Sequence, residues 1–182
     1  MAADDLELVA LVATTGDRHA FGQLVERHQS LVRAMLTRMT GNHALADDLA
    51  QEAFIKAYRK IGSFTGKGSF KSWLCRIAYT EFLQSARKRK SAQAAMQRYK
   101  AHQDMEQPAS NWDTGDAMDL DRALERLSEV ERTMIVLCFS SGFSHSEAAQ
   151  VSGLPLGTVK SHINRGKAKL RALLEDKEAA QA

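Results

Sequence analysis

The sequence predicts an all-α protein: two small helical domains joined by a flexible acidic linker, the second containing a helix-turn-helix. Three observations carry this. Apolar residues recur at helical spacing along most of the chain, and no stretch alternates apolar with polar residues as a half-buried strand would. Helix-start signals recur, two of them full capping boxes. Between the periodic halves lies "HQDMEQPASNWDTGD", polar, acidic and broken by Pro108 and Gly115. The division read from this is residues 1–94, a linker at 95–117, and residues 118–182. At 182 residues the chain has length for one ordinary domain or two small ones.

The first helix is read in "AFGQLVERHQSLVRAMLTRM". Phe21, Leu24, Val25, Leu31, Val32, Met35, Leu36 and Met39 form its stripe, with His28 on the same face as a core-edge residue. Asp17 is its N-cap and Gly41 its C′ residue. "HALADDLAQEAFIKAYRKI" gives a second stripe of Leu45, Leu49, Ala53, Phe54, Ala57 and Ile61. "GSFTGKGSF" follows as a loop with three glycines. Ser69 then caps a helix through "SFKSWLCRIAYTEFLQSARKRK", whose apolar positions begin Phe70, Trp73, Leu74, Ile77. Trp112 is unusual in a linker and is expected to dock on a partner or on a domain.

In the second half, "SEVE" and "SHSE" each match a capping box and start a helix. Helices are predicted at about 117–127, 129–141, 144–152 and 156–175. Leu124, Leu127, Met134, Ile135, Leu137, Ala148, Val151, Val159, Ile163 and Leu170 would form a small core, enough for four packed helices.

Charge is uneven although the net is only +3. From Lys67 to Lys100 there are nine basic residues and one acid, Glu81; from Asp104 to Asp121 every charge is acidic. Two basic blocks around an acidic one suggest two polyanion-facing modules and a solvated spacer. No apolar run reaches membrane-spanning length, and the N-terminus is acidic, unlike a signal peptide, so a cytoplasmic protein without membrane insertion is expected. Cys75 and Cys138 lie far apart in apolar helical patterns and read as buried thiols; no metal-ligand spacing accompanies them. No phosphate loop or nucleophile–base set stands out. No enzyme and no cofactor are expected.

A short capped helix, a turn at Gly153 and a longer basic helix are the parts of a helix-turn-helix. Its second helix would enter the major groove, its first residues reaching base edges. Thr158, Lys160, Ser161, His162, Asn164 and Arg165 are the groove-facing candidates. Arg can fork onto guanine and Asn onto adenine. Lys167, Lys169 and Arg171 suit phosphates, and Val159 and Ile163 face the core.

"DDLAQEAFIKAYRKIGSFTGKGSFKSWLCRIAYTEFLQSARKRK" and "ALERLSEVERTMIVLCFSSGFSHSEAAQVSGLPLGTVKSHINRGKAKLRALL" together resemble the two conserved blocks of bacterial extracytoplasmic-function (ECF) sigma factors of the sigma-70 family, from about Asp17 to Leu174. The resemblance implies partners: core RNA polymerase, promoter DNA and an anti-sigma factor. It implies that Asp48, Gln51, Glu52, Phe54, Ile55 and Arg59 bind core polymerase, as polar residues around an apolar one suit an interface. It implies that the glycine loop and the next helix recognise and melt the promoter's −10 region, through Phe64, Lys67, Gly68, Ser69, Phe70, Trp73, Arg76, Thr80, Arg87 and Lys88, with Arg89 beside them. A flipped base needs a pliable loop and stacking walls, although Trp73 serves a core as well as it serves a base. The family usually has Asn where this chain has Thr80. The −35 element would be read by Thr158, Lys160, Ser161, His162, Asn164 and Arg165, with Lys169 on the backbone, and the acidic linker would thread the polymerase's RNA exit path. The alternative is a free-standing helix-turn-helix regulator, which would need an upstream receiver or ligand-binding domain; residues 1–100 show no strand pattern for one.

Overall fold

The computed structural model describes residues 4–100 and 117–181, with side chains at 4–96, 120–173 and 175. Within these residues the protein is all-α, as predicted, with no strand. Trp112, Pro108 and residues 101–116 of the expected linker lie outside the described residues.

Residues 5–100 form four helices. α1 (Asp5–Thr15) was not anticipated. A capping box starts it: the Asp4 carboxylate accepts from Glu7 N at 2.8 Å, and Glu7 accepts from Asp4 N at 3.0 Å. It buries Leu8, Val9 and Val12, and Asp5 pairs with His28 at 2.7 Å and Arg27 at 3.1 Å on the next helix. α2 (Arg18–Thr40) starts at the expected Asp17 cap and ends at Gly41, whose φ of 66° is the left-handed conformation that favours glycine there. α3 (His43–Lys60) is capped by Asn42 and buries Ala46, Leu49, Ala50, Ala53, Phe54 and Ala57. A 3-10 turn, Ile61–Ser63, leads into the glycine loop. α4 (Phe70–Lys100) runs ten residues beyond the predicted end and takes in residues 95–100, assigned above to the linker. "SAQAAMQRYK" has lost amphipathic spacing but is rich in Ala, Gln, Lys and Arg, which keep a helix going without a core to face.

The second half begins with α5 (Ala117–Glu125). α6 (Glu129–Ile135) opens on the Ser128–Glu131 capping box and runs on as a π turn, Val136–Ser140. α7 (His145–Ser152) opens on the Ser144–Glu147 box and closes at Gly153. α8 (Leu156–Gln181) follows. A methyl group at Gly166 would sit 3.0 Å from Ile135 Cγ1, so α8 crosses α6 where only glycine fits easily. Nine of the ten expected core residues of this half are buried, and Leu170 is half-buried against them. Burying one Leu- or Phe-sized side chain contributes about 1.5–3 kcal/mol.

The halves pack together, and their buried apolar side chains form one continuous cluster. Lys71 of α4 donates to Ser141 O at 2.7 Å and lies 4.4 Å from the centre of the Phe143 ring. Arg132 of α6 donates to Met39 O at 3.3 Å, besides Leu124 O and Glu125 O, each at 2.9 Å. Lys90 pairs with Glu129 at 3.4 Å.

Candidate functional site

Three surfaces carry the residues singled out by sequence. The first is the outer face of α3. Asp48, Gln51, Glu52 and Arg59 are exposed on one face over about three turns, and Ile55 is half-buried between them. Phe54, at 9% exposure, lies beneath them and faces the core more than solvent. It floors a cavity of about 520 Å³ between α2 and α3, walled by Phe21, Val25, Ile55 and Tyr58. An apolar cleft with Gln51, Arg18 and Arg59 at its edge is suited to a protein partner.

The second surface is the glycine loop and the exposed face of α4. Gly66 and Gly68 have φ of 73° and 85°, which a side chain would strain. Lys67, Gly68 and Ser69 are exposed. The Ser69 hydroxyl accepts from Ser72 N at 3.1 Å, the expected cap. Phe64 is half-buried, its ring 5.6 Å from Trp73 and 6.0 Å from Phe70. Phe70 corrects the sequence reading. At 1% exposure it is core, because α4 sets Phe70, Leu74, Ala78 and Phe82 four residues apart on its inner stripe. It cannot stack on a base; it supports Phe64 and Trp73, which flank it. Trp73 is half-buried, with one edge in the cluster. Arg76, Thr80, Arg87 and Lys88 are exposed. Arg76, Thr80 and Arg87 share a stripe on the helix. The Thr80 hydroxyl donates to Arg76 O at 2.8 Å.

The third surface is the start of α8. Lys160, Ser161, Asn164 and Arg165 are exposed, Thr158 and His162 are half-buried, and Val159 and Ile163 are buried as expected. Arg165 Nη2 lies 3.2 Å from His162 Nδ1, so these two side chains are held as a pair. Lys169 departs from the expectation of a phosphate contact. Its ammonium donates to both Glu131 oxygens, at 2.8 and 3.0 Å. Lys169 therefore ties α8 to α6. Its hydrogen bond, helped by those from Ser128, holds the buried Glu131 carboxyl down at about 2.

One feature escaped the sequence reading. Phe139 is 60% exposed and borders a cavity of about 620 Å³ walled by Leu120, Leu124, Ile135 and Leu170, with Lys167 and Arg171 at its rim. The run "MIVLCF" contained the signal: six consecutive apolar helical residues cannot all face one core.

The second and third surfaces meet through α7. Gln150 of α7 sits beside the loop, 3.8 Å from where a methyl group on Gly68 would lie. Among the described residues no helix is long and apolar enough to cross a membrane, and no group of three or more His, Cys, Asp or Glu could hold a metal ion.

Residues 24–92 match the family Sigma-70 region 2, and residues 117–170 match Sigma-70, region 4. The chain is 33% identical to the ECF RNA polymerase sigma factor SigE of Mycolicibacterium smegmatis, over 99% of this chain and 73% of that protein. It is also 33% identical to SigW of Bacillus subtilis, over 88% of this chain and 92% of that protein. Among solved structures it resembles the sigma factor RpoE in complex with the anti-sigma factor NepR from Bartonella quintana, with a TM-score of 0.71 and 31% identity, over 85% of this chain and 96% of that one. CnrH in complex with the cytosolic domain of CnrY gives 0.69 and 30%, over 93% and 96%.

Proposed function

The chain belongs to the ECF sigma factors of the sigma-70 family, and on that premise we propose how its three surfaces divide the work of promoter-directed initiation. It is an alternative sigma factor and not a free-standing regulator: the first half is sigma region 2, not a receiver or ligand-binding domain. The α3 face, Asp48, Gln51, Glu52, Ile55 and Arg59 over the Phe54-floored cleft, is the surface for core polymerase. The loop with Phe64, Lys67, Gly68 and Ser69, together with Trp73, Arg76, Thr80, Arg87 and Lys88, handles the opening −10 strand. Cations along α4 follow the phosphates, while the glycine loop reshapes around a base. The start of α8 reads the −35 duplex with Ser161, Asn164 and Arg165, and Lys160 and Arg171 meet phosphate. An anti-sigma factor, such as those bound to both structural neighbours, is a further partner. The protein works in the cytoplasm, with the polymerase.

The observation that carries this reading is the pair of exposed surfaces bearing basic residues, one in each matched region. Their packing adds a requirement. The two promoter elements lie about 25 base pairs apart, roughly 85 Å at about 3.4 Å per pair. Compact modules of this size are only about 30 Å across. Lys71 therefore has to leave Ser141 before both elements can be held at once.

Run-off transcription with core polymerase and a genomic promoter pool tests the function. Discrete start sites sharing two spaced elements are expected. Transcripts no different from those of core polymerase alone would contradict it.

A further inference from the structure

The cavity beneath the exposed Phe139 has no role in the account above, and neither has Trp112. We propose that the two belong together: in the free chain the Trp112 ring occupies this cavity, and the acids that follow it, Asp113 and Asp116, lie on the basic rim of α8. The inference does not depend on the promoter reading.

The cavity suits an aromatic occupant with acidic neighbours. Its volume is about 620 Å³, within the range of about 300–1,000 Å³ that takes a compact ligand. Phe139 is 60% exposed and Leu120 43%, two large apolar side chains on one patch that a protein normally covers. An indole would bury against both, and its contact with the Phe139 ring adds to the area covered. A buried indole N–H needs an acceptor, and the exposed Ser140 lines the same cavity with a hydroxyl. The rim is cationic. Lys167 Nζ lies 5.7 Å from the centre of the Phe139 ring, and Arg171 meets Glu175 at 3.7 Å in an exposed pair, too weak to hold it against another carboxylate.

Chain length selects the occupant. Trp112 precedes Ala117, the first residue of α5, by five positions, and Leu120, in the first turn of α5, is a wall of the cavity. Five residues span at most about 18 Å, so Trp112 is tethered within reach of the mouth. A tether this short holds a group at roughly millimolar effective concentration, enough to fill a site too weak to capture a separate molecule. Charge points the same way. Every charged residue from Asp104 to Asp121 is acidic, so Lys167 and Arg171 attract this segment.

The test uses the full chain labelled with 5-fluorotryptophan. The two tryptophans give two fluorine resonances, and Trp112→Phe identifies that of Trp112. In the free wild-type chain a soluble nitroxide should broaden the Trp112 line roughly threefold less than that of free 5-fluorotryptophan. Phe139→Ser should remove the protection and leave the Trp73 line in place. Asp113→Lys with Asp116→Lys should also remove it, without touching the folded core. Adding Lys167→Glu and Arg171→Glu to that pair should restore it, since the charges are then exchanged and the attraction returns. A Trp112 line as exposed as the free amino acid in wild type would overturn the proposal. So would protection that survives Phe139→Ser, which puts the ring on another surface, or exchanged charges that fail to restore it. Protection that rises with protein concentration would overturn it in favour of a second copy of the chain.

Discussion

The turn before α4 and the turn before α8 each deliver a helix that we propose faces DNA, but they are built differently. Before α8 the chain has three residues, Gly153, Leu154 and Pro155. Gly153 closes α7 by donating to Ala149 O at 2.8 Å, and Pro155 O accepts from Val159 N at 3.0 Å. Val159 and Ile163 then pin the helix to its core. Before α4 the chain spends residues 64–69, with two glycines at positive φ, an exposed Lys67, and a wall of Phe64 and Trp73. The first turn fixes a convex helix, which reading an intact duplex requires. The second leaves an adaptable loop against an aromatic wall, which suits a strand whose bases have left the stack.

That contrast can be broken most severely at Phe70. As a core residue beneath the loop, Phe70→Ala should cost about 3–5 kcal/mol of stability, seen as a lower denaturation midpoint. If stability holds and only promoter opening is lost, Phe70 stacks on DNA after all.

Lys169 is the next test, because it separates packing from DNA contact in the second module. Lys169→Met strips the partner from buried Glu131 and should cost about 1–3 kcal/mol at neutral pH. The sign with pH follows from the Glu131 carboxyl, held at about 2 against an ordinary 4.5. Its contribution is present above about 4.5 and is lost as pH falls from there toward 2. The variant should therefore lose less stability than wild type across that window. Parallel acid unfolding curves would show that the pair contributes nothing.

Smaller effects sharpen the reading of α8. Arg165→Ala should cost about 1–3 kcal/mol on a matched −35 duplex and much less on a mismatched one. Arg171→Ala should weaken both alike and shallow the salt dependence by about one unit. Titration against the two duplexes at several salt concentrations checks both; equal losses for Arg165→Ala would make it a phosphate contact.

Much of this was legible in sequence. The capping boxes at Ser128 and Ser144, the Asp17 and Gly41 ends of α2, and the inward turn of Val159 and Ile163 are local signals, read within a few residues. α1 carried the same kind of signal in Asp4 and Glu7, with Asp in place of Ser, and so went unread. Phe70 was misplaced because an aromatic after a glycine loop satisfies two patterns. Only the run Phe70, Leu74, Ala78, Phe82 resolves it. The engagement of Lys169 by Glu131 and of Lys71 by Ser141 joins residues 38 and 70 positions apart, for which no local pattern exists.

The central claim, that two modules packed on each other must part to read one promoter, is tested most directly by distance. Donor and acceptor dyes on Ser30→Cys and Ser146→Cys, both exposed positions, would report it once half-buried Cys138 is replaced by Ala. Cys75 is buried, its thiol pushed up to about 12, and should stay unlabelled. Energy transfer should be high in the free protein and collapse in promoter-bound holoenzyme, as the modules move toward the roughly 85 Å between elements. Undiminished transfer in a holoenzyme that initiates at the selected promoter would contradict the account.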